Sequence, residues 1–145
     1  MSASEGPKRL RVELVTPDGP VFVEDARMVV VPGKAGELGV LPRHIALIAQ
    51  LKPGETRIRT LEDEWLSFAT GAGYFKIQHD RASVLVDSAV AVSSIDAEQA
   101  RGDLEDAQRR LAEASAESEG SSVERARAER DVADAENRLK VAGRA

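Results

Sequence analysis

Residues 36–54 read GELGVLPRHIALIAQLKPG. The stretch holds three of the chain's glycines, two of its prolines and one of its two histidines, His44. Its middle, IALIAQL, is apolar and is expected to be buried. Its first half is expected to form a shaped loop. A glycine-rich loop beside a histidine admits three readings: a phosphate cradle, a catalytic loop, or a surface that presses on a partner. The rest of the chain decides among them.

The phosphate reading needs Gly-x-x-x-x-Gly-Lys followed by Ser or Thr, with a helix behind it to aim N–H groups at phosphate. Here Ala35 follows Lys34 in GKAGELG, residues 33–39, and no helical pattern follows. Tight turns account for these glycines better. Gly71-Ala72-Gly73 lacks the third glycine of a dinucleotide fingerprint and reads as a hairpin turn. A catalytic His44 needs a nucleophile or carboxylate within reach, and Glu37 is the one nearby candidate. Asp18, Glu24 and Asp25 sit in or beside turn signals and form no acid–base pattern. No convincing active site emerges.

Composition narrows the field further. The 145 residues suffice for one core and an appendage, with 42% hydrophobic and 31% charged residues. There is no cysteine, and two histidines without ligand spacing give no zinc site. No apolar run approaches the ~20 residues of a membrane span. A net charge of -5 and 3% aromatic residues weigh against nucleic-acid binding. The opening MSASEGPKRL has neither a signal core nor the length of a transit peptide.

The grammar of the chain changes at Val92-Ser93-Ser94. All six prolines and every aromatic residue precede this point. Before it, short strands alternate with turn signals: 9–15, 21–23, 27–31, 56–61, 65–70, 74–77 and 82–86. Trp65 and Phe68, three apart on a strand, fall on opposite faces, so at least one is core. No strand–helix–strand alternation appears. The expectation is a β-sandwich over 1–92. After the boundary, Ala97, Ala100, Leu104, Ala107, Leu111 and Ala114 form one helical stripe, and Ala128, Val132, Ala135, Leu139 and Ala142 a second. Asp96 with Gln99, and Ser121 with Glu124, read as capping boxes. Residues 93–145 are therefore expected to form a C-terminal antiparallel α-helical hairpin, weakly held because alanine buries little area. Residues 96–119 carry a net charge of -5, while 122–145 carry +1, with Arg125, Arg127 and Arg130 near the start of the second helix. Those arginines read either as a solvated helix face or as a basic end that docks on an acidic partner.

The arrangement resembles the epsilon subunit of bacterial F-type ATP synthases along nearly the whole chain. The resemblance rests on Gly36-Glu37-Leu38-Gly39-Val40-Leu41-Pro42-Arg43-His44, then Leu47 and Leu51-Lys52-Pro53-Gly54. Leu10 to Pro17, residues 69–74, residues 84–89 and Ile95-Asp96 before the alanine-rich helices agree with it. It implies a β-sandwich of ten short strands in two sheets at the foot of a rotating central stalk, a non-catalytic part of the complex. The implied partners are the gamma subunit along one side, the c-subunit ring below, and the catalytic beta and alpha subunits above. Membrane association would come only through the complex, on the cytoplasmic side of the bacterial plasma membrane. Glu37, Leu38 and His44 are the implied c-ring contacts, with residues 45–51 anchoring them. Arg125, Arg127, Arg130 and Arg138 are the implied contacts of an extended hairpin with the catalytic head, where it opposes ATP hydrolysis. Some members bind ATP, as a regulatory ligand rather than a cofactor, through Ile/Leu-Asp-x-x-Arg-Ala. The corresponding residues here are Ile95, Asp96 and Ala100, with Arg138 on the second helix. Gln99 replaces the motif arginine, and Asp134 stands near another arginine position. The competing readings are a β-sandwich adaptor with a helical tail and an ATP-sensing hairpin module.

Overall fold

The computed structural model describes residues 8–116 and 122–143. They fall into two compact units that meet between Ala91 and Val92.

The first unit contains nine strands among the described residues, where the resemblance implies ten. They are β1 (Leu10–Thr16), β2 (Gly19–Gly33), β3 (Gly36–Val40), β4 (Leu47–Leu51), β5 (Gly54–Thr60), β6 (Trp65–Thr70), β7 (Gly73–Gln78), β8 (Arg81–Val86) and β9 (Ala89–Ala91). Strand β2 is the spine. Its first half pairs with β1, which continues through the parallel neighbour β8 to β7 and β4. Its second half lies between β3 and β5, and β5 leads on to β6 and β9. One long strand thus belongs to both layers of a sandwich, and Gly33 opposite Leu51 ties its end to β4.

The inner faces follow the two-residue period of the strands. Leu10, Val12 and Leu14 of β1, Val29 and Val31 of β2, and Ile58, Phe75, Ile77, Ala82 and Val84 are all fully buried in one cluster. The Val, Leu, Ile and Phe side chains among them stabilise by about 1.5–3 kcal/mol each when buried. Phe22 meets Phe68 edge-to-face, with centroids 6.3 Å apart. Phe68 is core and Trp65 faces outward, as their spacing requires. On the neighbouring strands β5 and β6, the hydroxyls of Thr56 and Thr70 meet at 2.9 Å, both buried.

Several expectations are corrected here. Residues 24–26 do not interrupt the chain between two strands. They lie within β2, because they pair with Leu10–Val12 of β1, and the carboxylate of Asp25 is met by Arg9, just before β1, at 3.2 Å and by Arg11 at 3.5 Å. A bulge between Ala26 and Met28 bends the strand where it passes from one layer to the other. Residues 36–40 are not a loop but the strand β3, joined to β2 by a turn at Lys34-Ala35; Gly36, at φ +139°, supplies a backbone that other residues rarely adopt. Residues 45–51 are not a buried segment. Leu51 is buried, but Ile45, in the irregular segment before β4, is 79% exposed, and Ile48 is 69% exposed because β4 has one face on the core and one on solvent. Gly71-Ala72-Gly73 closes no hairpin: β6 and β7 lie in different layers, and the segment crosses between them. A Cβ on Gly73 would stand 1.9 Å from the Leu85 carbonyl oxygen, so the backbone of β8 forbids any side chain there.

The second unit opens with a short 3-10 turn over Val92–Ser94, followed by α1 (Ala97–Ala116) and α2 (Ser122–Ala142). Asp96 caps α1: its Oδ1 accepts from the N–H groups of Glu98 at 3.0 Å and Gln99 at 3.2 Å. The second capping signal, at Ser121, lies outside the described residues. Ala100, Ala107 and Ala114 on α1 and Ala128 and Ala135 on α2 are buried, seven residues apart, with Leu104, Leu111, Val132 and Leu139 half-buried between them. This four-three alternation is a coiled-coil seam lined with alanine. Ala97 is exposed in the first turn of α1, outside the seam, while Val141 is buried although it lies off the expected stripe.

Candidate functional site

Two places gather the residues singled out from the sequence. The first is the β2–β3 hairpin. Its tip, with the facing part of β4, borders an open apolar groove of about 520 Å³ lined by residues 33–38, Leu47, Ala49 and Gln50. The backbone there is locked to β4, since Lys34 N–H donates to the Gln50 carbonyl at 2.8 Å and Lys52 N–H to the Pro32 carbonyl at 3.0 Å. Leu38 is half-buried and packs on the core. Glu37 points outward, and its carboxylate meets Arg57 Nη2 at 3.3 and 3.4 Å. The sequence shows Glu37 but not this partner, which comes from β5 with β2 lying between the two strands.

His44 does not join Glu37. Glu37 stands beside the turn that opens β3, while His44 lies past the strand's other end, in the irregular segment 41–46. The three residue steps from Glu37 to Val40 alone span about 10 Å of extended chain. His44 Nδ1 is 2.7 Å from the Ile45 carbonyl oxygen. Its neighbour Arg43 has a left-handed backbone at φ 69°, and the Arg43 N–H donates to Asp80 Oδ1 at 2.6 Å. The segment is therefore pinned to the β7–β8 turn. No acid–base pair forms: Glu37 is engaged by Arg57, and Asp25 is engaged by two arginines.

The second place is one face of the helical hairpin. Arg138 Nη2 lies 2.8 Å from Asp103 Oδ2, and Arg110 Nη1 lies 2.9 Å from Asp131 Oδ2. With Asp106 and Asp134 these side chains line an open groove of about 320 Å³. The sequence carried a signal for this. Asp-x-x-Asp-Ala-x-x-Arg-Leu occurs twice, at 103–111 and at 131–139. In an antiparallel pair each aspartate that opens one copy meets the arginine that closes the other, and Ala107 and Ala135 sit buried at the centre.

The remaining arginines stand apart from this groove's lining. Arg125, Arg127 and Arg130 are exposed on the first half of α2. Of the nucleotide-motif positions, Ile95 is half-buried, Asp96 is spent on capping α1, Gln99 is exposed, and Ala100 is buried in the helix–helix seam. Arg138 is held by Asp103. Among the described residues no group of His, Cys, Asp or Glu has the arrangement of a metal site, and no helix is long and apolar enough to cross a membrane.

The comparisons agree with both units. Residues 9–92 match the family described as ATP synthase, Delta/Epsilon chain, beta-sandwich domain. Residues 93–143 match ATP synthase, Delta/Epsilon chain, long alpha-helix domain. The chain is 41% identical over 135 residues to the ATP synthase epsilon chain of Halalkalibacterium halodurans, covering 93% of this chain and 98% of that one. It is 36% identical over 126 residues to that of Xanthomonas euvesicatoria, covering 87% and 86%. In fold it is similar to a chain of the Euglena gracilis mitochondrial ATP synthase, with a TM-score of 0.70 at 20% identity, covering 94% of this chain and 82% of that chain. A chain from the Tetrahymena thermophila mitochondrial enzyme gives 0.57 at 14% identity, with 94% and 97% covered. With both of its units matched and bacterial epsilon chains as relatives, this chain belongs to the ATP synthase delta/epsilon family, as an F-type epsilon subunit that is itself non-catalytic.

Proposed function

We propose that the chain is a rotor subunit of the central stalk, with the sandwich as its coupling foot and the hairpin as its brake. The foot rests on the ring of membrane-embedded c subunits through the tip of the β2–β3 hairpin, with Glu37 and Leu38 at the contact and His44 at its margin. The gamma subunit lies along one side. The observation that carries this reading is the construction of the tip: an exposed carboxylate on a strand bonded into a fully buried core, able to pass torque without yielding.

The hairpin opposes ATP hydrolysis when its second helix reaches the beta and alpha subunits of the catalytic head. Arg125 and Arg127 are exposed and face acidic partner segments, Arg130 is exposed beside them, and Arg138 must first leave Asp103. The alanine seam supports a two-state element, since weak packing leaves two arrangements close in energy. The complex works at the plasma membrane of a bacterium, with this subunit on the cytoplasmic side. The hairpin groove argues against ATP as a ligand. Four aspartates line it, and both of its arginines are already paired, so a triphosphate would meet net negative charge.

ATP-driven proton pumping tests the coupling role. Membranes carrying the ring, supplied with a catalytic head that lacks only this chain, should hydrolyse ATP with little pumping. Adding the full chain should restore pumping, and a Glu37→Gln chain should restore less. Full pumping without the chain would refute the role.

A further inference from the structure

We propose that Arg57 is a positioning residue that holds Glu37 for its contact. This rests on reading Glu37 as a contact residue. Strands β3, β2, β5 and β6 lie side by side in that order. Glu37 stands opposite Pro32 and Arg57 opposite Val30, so the arginine has to reach across β2, about 10 Å between the outer strands, to meet the carboxylate. It does so from a fixed base. Its guanidinium lies over the Trp65 ring, 5.7 Å from the centroid, and Trp65 is the diagonal neighbour of Arg57 on the adjoining strand. The Arg57 Nε is buried and has no hydrogen-bond partner, while Nη2 spans both oxygens of Glu37. The guanidinium's polar reach is therefore directed at one carboxylate.

The Glu37 side chain, 61% exposed, would otherwise sample many rotamers at the end of the sandwich, and the pair biases it toward one.

The chain has no cysteine, so Ala35→Cys in the exposed turn gives a single thiol beside Glu37. In the intact membrane-bound complex, with a cysteine placed in the ring's polar loop, the initial rate of disulfide cross-linking reads the contact. High salt, which screens an exposed pair, should slow cross-linking of the Ala35→Cys chain. Adding Arg57→Gln should slow the reaction by about threefold or more and leave a smaller salt response, because no pair remains to be screened; Arg57→Lys should recover part of the loss, and Trp65→Leu should fall between. Thermal midpoints separate this from unfolding, and should Arg57→Gln unfold the sandwich, Arg57→Lys and Trp65→Leu decide. Folded Arg57 and Trp65 variants that cross-link at the parental rate, with the parental salt response, overturn the proposal while leaving the contact intact. Absence of cross-linking in the Ala35→Cys parent itself removes the contact, and the proposal with it.

Discussion

Arg138 of α2 reaches across the helical hairpin to Asp103 of α1, with Nη2 2.8 Å from Oδ2, and Arg110 makes the mirror-image contact with Asp131 at 2.9 Å. The two pairs close the same face of a seam whose buried residues are mostly alanine. Such partly exposed pairs are worth about 0.2–1 kcal/mol each. In a well-packed bundle that would be minor, but here it is a large share of what holds the helices together.

Asp103→Asn and Asp131→Asn are each expected to speed amide hydrogen exchange in α1 and α2, by up to about fivefold per pair, without changing exchange in the sandwich. The double variant should lose about the sum, because the pairs share no atoms. High salt should reproduce part of the effect in the parent chain. Equal exchange in all four proteins would show that the pairs contribute nothing.

The seam sets a second expectation. Ala107 and Ala135 are fully buried in the seam, and alanine buried on both helices requires the two backbones to approach closely. Ala135→Leu should cost about 1–3 kcal/mol by overpacking and lower the helical signal in circular dichroism. The thermal midpoint of the sandwich should not move. A hairpin that tightens on gaining leucine would contradict the close approach.

Gly73→Ala is expected to be among the most damaging single changes in the sandwich. The added methyl would collide with the β8 backbone at Leu85 and Val86, which cannot turn aside as a flexible side chain can. The loss should exceed the ordinary range of about 0.5–3 kcal/mol, read as a denaturant midpoint or as failure to fold. Gly102→Ala makes the useful contrast, since nothing lies within 4 Å of its added carbon. It should stabilise α1 by up to about 1 kcal/mol.

The buried Thr56–Thr70 hydroxyl pair gives a fourth test. Thr56→Val alone should cost about 1 kcal/mol by depriving the Thr70 hydroxyl of a partner. Thr56→Val with Thr70→Val should cost less than the two single losses added together. Strict additivity in urea unfolding would mean that the hydroxyls act independently.

These contacts also show where the sequence could be read and where it could not. Alternation in residues 9–15 was enough for β1, because each inward residue meets a core that any β-sandwich must have. The alanine and leucine spacing located both helices for the same reason. The run IALIAQL misled, since apolar character does not tell which face of a strand meets the core; Ile48 and Leu51 are equally apolar, yet only Leu51 is buried. Glu24-Asp25-Ala26 suggested a break because the compensating cations, Arg9 just before β1 and Arg11 on it, lie far off in the sequence. The Arg57–Glu37 pair was hidden in the same way, spanning twenty residues of sequence and an intervening strand. The repeated Asp-x-x-Asp-Ala-x-x-Arg-Leu was visible in the letters, but it acquires meaning only once the helices are known to run antiparallel in the register that pairs 103 with 138. Glu37 and His44, close in sequence, were separated by the straightness of β3.

The division of labour between foot and brake is tested most directly by ATP hydrolysis of the purified catalytic head with gamma, measured with no addition, with the full chain, and with a chain ending at Val92. The full chain should inhibit, and the shortened chain should bind without inhibiting. Two bound chains that leave hydrolysis equally fast would contradict the hairpin's role as brake.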